Sequence, residues 1–192
     1  MTPAVFLDRD GVLLHDIGYL ARREDLRWFP FAIEAVRLLN RAGFLVFVTT
    51  NQGGVGLGYY SDAFVRETHD EMARRLDAGG ARVDLWFFCP HHPRATTEAL
   101  RVACACRKPA PGMVHAAAAT HAIDLPRSFV VGDKATDMGL ARSVGARGVF
   151  VLTGQGQAEQ ARAGGTMPSD WTAPDLMAAT AWILATSRSA TR

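Results

Sequence analysis

Two carboxylates, Asp8 and Asp10, flank a single arginine in the run FLDRDGVL, at the end of an apolar stretch. Carboxylates this close repel unless a cation or a shared proton offsets them. One could attack phosphorus while the other moves a proton, with a divalent ion between them. An Asx-type turn that caps a loop would use the same residue types. Gly11 then lets the chain turn sharply away. A second cluster, VTTNQGGVG, puts Thr50 and Asn51 at a strand tip, followed by glycines whose amides can approach an anion. Polar, glycine-rich loops end many strands, so that cluster alone decides little. A third, VVGDKATDM, places Asp133 just past a strand and Asp137 one helical turn on, where a plain helix cap would also put an aspartate. Arg107 and Lys108 precede Pro109, giving two fixed cations before a helix whose start attracts anions.

The three cysteines form a second kind of site. Cys89, Cys104 and Cys106 are all the cysteines of the chain, and an odd number excludes a closed disulfide framework. Cys89 begins CPHHP, and Cys104 and Cys106 come after a loop long enough to fold back, so the two groups can surround one tetrahedral ion. Three thiolates and an imidazole make a closed, structural zinc set. His91 is the expected fourth ligand and His92 the alternative. The competing reading makes Cys89 a core residue at a strand end and the other two incidental.

These residues need a scaffold that brings strand ends together. Short apolar runs over Val5 to Asp8, Phe44 to Thr49, Leu85 to Cys89, Phe129 to Gly132 and Gly148 to Leu152 read as buried strands. Helix-period segments separate them: Phe31 to Ala42 after Pro30, Ser61 to Ala78 behind a capping Ser61, Pro111 to Ala122, and Lys134 to Val144 stopped by Gly145. Residues 154–169 read as a loop with a short helix, and residues 187–192, with Arg188 and Arg192, as a frayed tail. Strand and helix in alternation predict an α/β fold, a Rossmann-like doubly wound parallel sheet with helices on both faces, over residues 1–186 as one domain. In such sheets ligands collect at the carboxyl ends of strands.

With 192 residues, 48% hydrophobic and 21% charged, the chain is long enough for one well-buried core and too apolar for wholesale disorder. A net charge of +2 offers no electrostatic footprint for nucleic acid or an anionic membrane. No apolar run reaches a membrane span, and no signal-peptide pattern opens the chain, so a cytoplasmic protein, monomeric, is expected. His15 reads as a solvated loop residue, His69, His115 and His121 as helix-surface residues, and Trp86 and Trp171 as packing.

Carboxylate, hydroxyl, cation and carboxylate occur in that order across residues 4 to 155, and this order resembles the haloacid dehalogenase superfamily of phosphatases and mutases. The resemblance implies that Asp8 is the nucleophile that becomes an aspartyl phosphate, and that Asp10 is the general acid and base. It implies that Thr50 and Lys108 hold the transferring phosphoryl group. Asp133 would bind magnesium together with Asp8 and the Asp10 backbone carbonyl, while Asp137 would either support a lysine or bind metal. Adding CPHHP, CACRKPAPGM, GYL at Gly18 to Leu20 and VTTNQGGVGLG, the pattern looks like the D-glycero-D-manno-heptose 1,7-bisphosphate phosphatases, whose histidinol-phosphate phosphatase relatives share most of it. That family implies no large cap domain, a small zinc loop at about residues 89–106 built on Cys89, His91, Cys104 and Cys106, and a phosphorylated sugar as substrate. Its substrate contacts fall on Asp16, Gly18, Tyr19, Asn51, Gln52, Gly53, Arg107 and Lys134. The chain departs from the pattern at Gly53, where serine is common, at Leu14, where a polar residue is common, and at Phe31, where glycine is expected. A sugar-phosphate binder with degenerate catalysis would not need both Asp8 and Asp10. A nucleic-acid end-processing phosphatase would want a basic stripe that is missing here.

Overall fold

The computed structural model describes residues 1–189, and residues 190–192, Arg192 among them, lie outside the described residues, as do the side chains of residues 188 and 189. Six strands form one sheet: β1 (Ala4–Leu7), β2 (Leu45–Asn51), β3 (Leu85–Cys89), β4 (Phe129–Gly132), β5 (Arg147–Val151) and β6 (Trp171–Ala173). All neighbours run parallel, in the spatial order β3-β2-β1-β4-β5-β6. Between β1 and β4 the order reverses direction, and that switch point opens a crevice above the strand ends. Six helices accompany the strands: α1 (Ala32–Arg41), α2 (Asp62–Ala78), α3 (Gly112–Ala118), α4 (Ala135–Val144), α5 (Gly156–Arg162) and α6 (Leu176–Ser189).

Alternation along each strand divides the core in two. Val5 and Leu7 of β1, Val46 and Val48 of β2, Val131 of β4 and Val149 of β5 face one side, with α1, α2 and α6. Phe6, Phe47 and Val130 face the other, with Val114 and Ala117 of α3 and Leu140 and Ala141 of α4. Near-continuous apolar runs are what a strand covered on both faces requires. The inserts at residues 8–31 and 90–111 carry only short 3-10 turns, and the described residues build no cap domain.

Most of the expected elements stand where the sequence places them. α3 stops at Ala118 instead of running to Ala122, so His121 lies past it with its ring 5.3 Å from that of Phe47. Three further differences have physical causes. Neither β6 nor α6 is visible in the sequence pattern, because β6 has three residues and α6 is apolar on nearly every side, so neither shows a period. The expected tail is helical through Ser189 in α6. His69, expected on the surface, is 5% exposed: the buried stripe of α2 runs through Val65, Thr68, His69, Met72 and Leu76 and packs the imidazole 5.0 Å from the Trp86 ring of β3. Burial, then the nearby Arg9 and Arg66, pull its pKa down to about 3, so it stays neutral. No helix among the described residues is long and apolar enough to cross a membrane.

Candidate active site

β1 ends at Leu7, so Asp8 projects from the strand tip into the switch-point crevice. Asp8 Oδ1 accepts from the Arg9 backbone N–H at 2.7 Å and pairs with the Lys108 ammonium at 3.0 Å, and no hydrogen bond among the described residues falls on Oδ2. Burial opposes the ionised form of Asp8, but the Lys108 and Lys134 cations outweigh it and hold the carboxyl below its ordinary value. An anion with one oxygen left unengaged is the state a carboxylate nucleophile needs.

Lys108 is nearly fully buried; its ammonium donates to the Thr49 carbonyl at 2.8 Å and forms ion pairs with Asp8 Oδ1 at 3.0 Å and Asp137 Oδ1 at 2.6 Å. Burial would lower its pKa, yet Asp137 and Asp8 raise it overall, so Lys108 is a permanent cation. Asp137 also accepts from the Lys134 backbone N–H at 3.1 Å, closing the first turn of α4. Asp137 thus supports both lysines, Lys108 by its charge and Lys134 through the backbone. Asn51 pins the same segment: its amide accepts from Lys108 N–H at 3.0 Å and donates to the Lys108 carbonyl at 3.2 Å.

Asp133 follows β4 and is fully buried. Its Oδ2 accepts from Gln155 N–H at 2.7 Å and its Oδ1 from Lys134 Nζ at 3.1 Å. Gly11, at φ +87°, passes so close that a Cβ there would lie 2.1 Å from Asp133 Oδ2. The approach of the first loop to this carboxylate thus depends on a residue without a side chain. Carboxylate oxygens of Asp8, Asp133 and Asp137 all lie within 4.8 Å of one another. With Asp137 committed to Lys108, Asp8 and Asp133 are the oxygen pair that fits a hard divalent cation. Burial, together with the charges of Asp8 and Asp137 and against the pull of Lys134, pushes Asp133 up to about 7. A cation must therefore displace a proton below that pH. Magnesium affinity is expected to rise about tenfold per pH unit up to about 7 and then level off. Calorimetric titration of Mg²⁺ between pH 5.5 and 8 measures this, and a flat profile contradicts it.

Above these groups lies a cleft of about 380 Å³, which takes in Asp10, Thr50, Arg107 and Lys134 as well as Asp8 and Lys108. Asp16 lines it too, but its carboxylate accepts from Gly18 N–H at 2.8 Å and from Lys134 Nζ at 3.1 Å, so it shapes the rim loop and restrains the lysine. Tyr19, 44% exposed, meets Tyr59 edge-on at 4.7 Å. Gly53 and His92 form part of the opposite wall. A Cβ on Gly53 would lie 2.9 Å from the His92 ring, which accounts physically for glycine at a position where serine was the expectation. Gln52 is the exception among the expected substrate contacts: it is 2% exposed and sits behind the cleft, bonded to Asp10 and Thr50. Three participants had no signal in the spacing. Arg9 bonds Asp10 through Nε at 3.2 Å and Nη2 at 2.9 Å, Gln155 holds Asp133, and His92 lines the wall. The alternation of charge in Asp8-Arg9-Asp10 was the one available hint.

Beside the cleft, the cysteine cluster assembles. Cys89 Sγ lies 3.6 Å from Cys104 Sγ and 3.5 Å from His91 Nδ1. Cys106 Sγ lies 3.5 Å from Cys104 Sγ and 3.3 Å from His91 Nδ1. These are far beyond an S–S bond of about 2.05 Å. A tetrahedral zinc with bonds of about 2.3 Å to sulfur would set the sulfurs about 3.8 Å apart, so the four atoms fit such an ion with little movement. His92 faces the other way, with Nδ1 accepting from Arg94 N–H at 3.1 Å, which separates the two histidines that the sequence left open. Arg107 Nη1 donates to the His91 carbonyl at 2.7 Å, so this loop aims the guanidinium.

A six-stranded parallel sheet with a carboxylate pair after β1, a threonine on β2, a buried lysine and an aspartate after β4 defines a phosphatase of the haloacid dehalogenase type. The HAD-hydrolase-like family matches residues 105–179. The chain is 49% identical over 146 residues to D-glycero-beta-D-manno-heptose-1,7-bisphosphate 7-phosphatase of Rhodopseudomonas palustris, covering 76% of this chain and 81% of that protein. It is 43% identical over 187 residues to the Thermosynechococcus vestitus D-glycero-D-manno-heptose-1,7-bisphosphate 7-phosphatase, covering 94% and 95%. A crystal structure of D,D-heptose 1,7-bisphosphate phosphatase from B. bronchiseptica, complexed with magnesium and phosphate, superposes with a TM-score of 0.84 at 32% identity, covering 96% of this chain and 99% of that one. The chain belongs to the D-glycero-D-manno-heptose-1,7-bisphosphate 7-phosphatase family.

Proposed function

We propose that this protein is a magnesium-dependent phosphomonoesterase that removes the C7 phosphate of D-glycero-D-manno-heptose 1,7-bisphosphate. The observation that carries the reading is the convergence of Asp8, Asp10, Thr50 and Lys108 on one cleft, with buried Asp133 behind it. Asp8 attacks phosphorus through its unengaged oxygen, and an aspartyl phosphate forms as the ester P–O bond breaks. Asp10 gives its proton to the departing sugar oxygen and then takes one from the water that releases the phosphate. Lys108 and the Thr50 hydroxyl hold the equatorial oxygens, where positioning and charge neutralisation provide most of the catalysis. Magnesium on Asp8, Asp133 and the Asp10 carbonyl would neutralise phosphoryl charge when bound.

Gly18, Tyr19, Asn51, Gly53, Arg107 and Lys134 stand around the entrance, where Arg107 and Lys134 supply cations for the second phosphate of a bisphosphate. We assign Cys89, His91, Cys104 and Cys106 to a structural zinc, whose task is to fix Arg107, and the working form to a monomer. A phosphate-release screen over both anomers of the heptose bisphosphate, histidinol phosphate and fructose bisphosphate tests the substrate. Preferred turnover of the heptose bisphosphate supports the reading, and hydrolysis of histidinol phosphate instead overturns it. Elemental analysis of the same preparation is expected to find about one zinc per chain.

A further inference from the structure

Behind the cleft, the Gln52 side chain makes four hydrogen bonds, which use both donors and both acceptor sites of its amide. Nε2 donates to Asp10 Oδ2 at 2.8 Å and to Thr50 Oγ1 at 2.9 Å. Oε1 accepts from Arg9 Nη2 at 2.9 Å and from the Tyr60 hydroxyl at 2.9 Å. The pattern admits only one orientation of the amide, because a flipped Gln52 would face donors with its NH₂ group. Tyr60 reaches Oε1 because residue 54 is glycine: a Cβ there would lie 2.5 Å from the Tyr60 hydroxyl oxygen and 2.4 Å from its ring. Burial above all pushes the Tyr60 phenol up to about 12, so it is a donor at every working pH.

We propose that Gln52 and Tyr60 are positioning residues that lock the general acid and the phosphoryl-holding hydroxyl into one geometry. Gln52 occupies an acceptor site on Thr50 Oγ1, so the Thr50 proton turns outward to the phosphoryl oxygens. It also anchors Asp10 Oδ2, together with the Arg9 guanidinium, which leaves Oδ1, held by the longer 3.2 Å contact, to carry the proton to the leaving group. Tyr60 keeps the amide from flipping. This role rests on the phosphatase reading and replaces the expectation that Gln52 touches substrate.

Leaving-group chemistry isolates the role. As Asp8 bonds to phosphorus and the ester P–O bond breaks, an alkoxide needs the Asp10 proton, whereas p-nitrophenolate departs without one. Tyr60→Phe, which keeps the ring, and the nearly isosteric Gln52→Met would be assayed on p-nitrophenyl phosphate and on glycerol 3-phosphate. The ratio of alkyl to aryl kcat is expected to fall at least about fivefold in each variant, with KM for each ester within about threefold of wild type. Equal loss on both esters means a structural role, and raised KM at unchanged kcat means substrate contact; either overturns the proposal. Circular dichroism confirms that each variant is folded, and Tyr60→Phe alone decides the matter if Gln52→Met is not. Wild-type protein that hydrolyses both simple esters but spares the heptose bisphosphate would sink the substrate assignment and leave this ratio readable.

Discussion

Asp8→Asn is expected to abolish phosphate release, lowering kcat by at least about 10⁴-fold, because no other carboxylate can take over the attack on phosphorus. Asp137 is bonded to Lys108, and Asp133 is fully buried behind the cleft. The fold should survive. The asparagine oxygen can still accept from Arg9 N–H and from Lys108, which keeps Asp137 as its counter-charge. Phosphate release measured beside a thermal unfolding curve separates the two outcomes. Turnover near wild type in a folded Asp8→Asn protein would sink the nucleophile assignment.

Lys108→Met is the second large effect, and it strikes stability as well as catalysis. Among the described residues the ammonium is the one cation paired with both Asp8 and Asp137. Removing it while filling its volume leaves two buried carboxylates facing each other without the counter-charge they share, a change that costs about 3–5 kcal/mol. Urea unfolding at neutral pH should show a loss of that size, with phosphate release at background. Unchanged stability would mean that Lys108 is not the counter-charge its geometry describes. The two variants differ in kind: Asp8→Asn silences a sound scaffold, and Lys108→Met undermines the scaffold beneath the site.

Much of the site was legible because its residues follow strands that announce themselves. Asp8 comes after Val5-Phe6-Leu7 and Asp133 after Phe129 to Gly132, and apolar runs of that kind can only be buried. The cysteine cluster was legible from composition, since every cysteine of the chain falls between residues 89 and 106. What stayed hidden were pairings between distant residues. The family resemblance implied Gln52 as a substrate contact beside Asn51 and Gly53, yet a strand end turns successive residues in different directions, and Thr50, Asn51 and Gly53 line the cleft while Gln52 does not. Its bond to Arg9 spans 43 positions, and its bond to Tyr60 depends on the glycine at 54. His69 was misplaced for a related reason. An imidazole in a charged helix reads as polar, and only the aromatic side chains of β3 turn that position into core. No local rule contains these partners.

The anchoring of Arg107 to the His91 carbonyl has a consequence for how this fold acquires new substrates. The groups that transfer the phosphoryl belong to strand ends and to buried charges between helices, where almost any change is punished. The Arg107 guanidinium and the His92 imidazole that line the cleft hang from a loop drawn together at four metal-ligating side chains. Between those four points residues 92–103 lie outside the phosphoryl-transfer groups, so changes there reach the cleft wall and leave Lys108 in place. An ion held by Cys89, His91, Cys104 and Cys106 would make selectivity a detachable trait, by turning a short segment without regular structure into a rigid fixture.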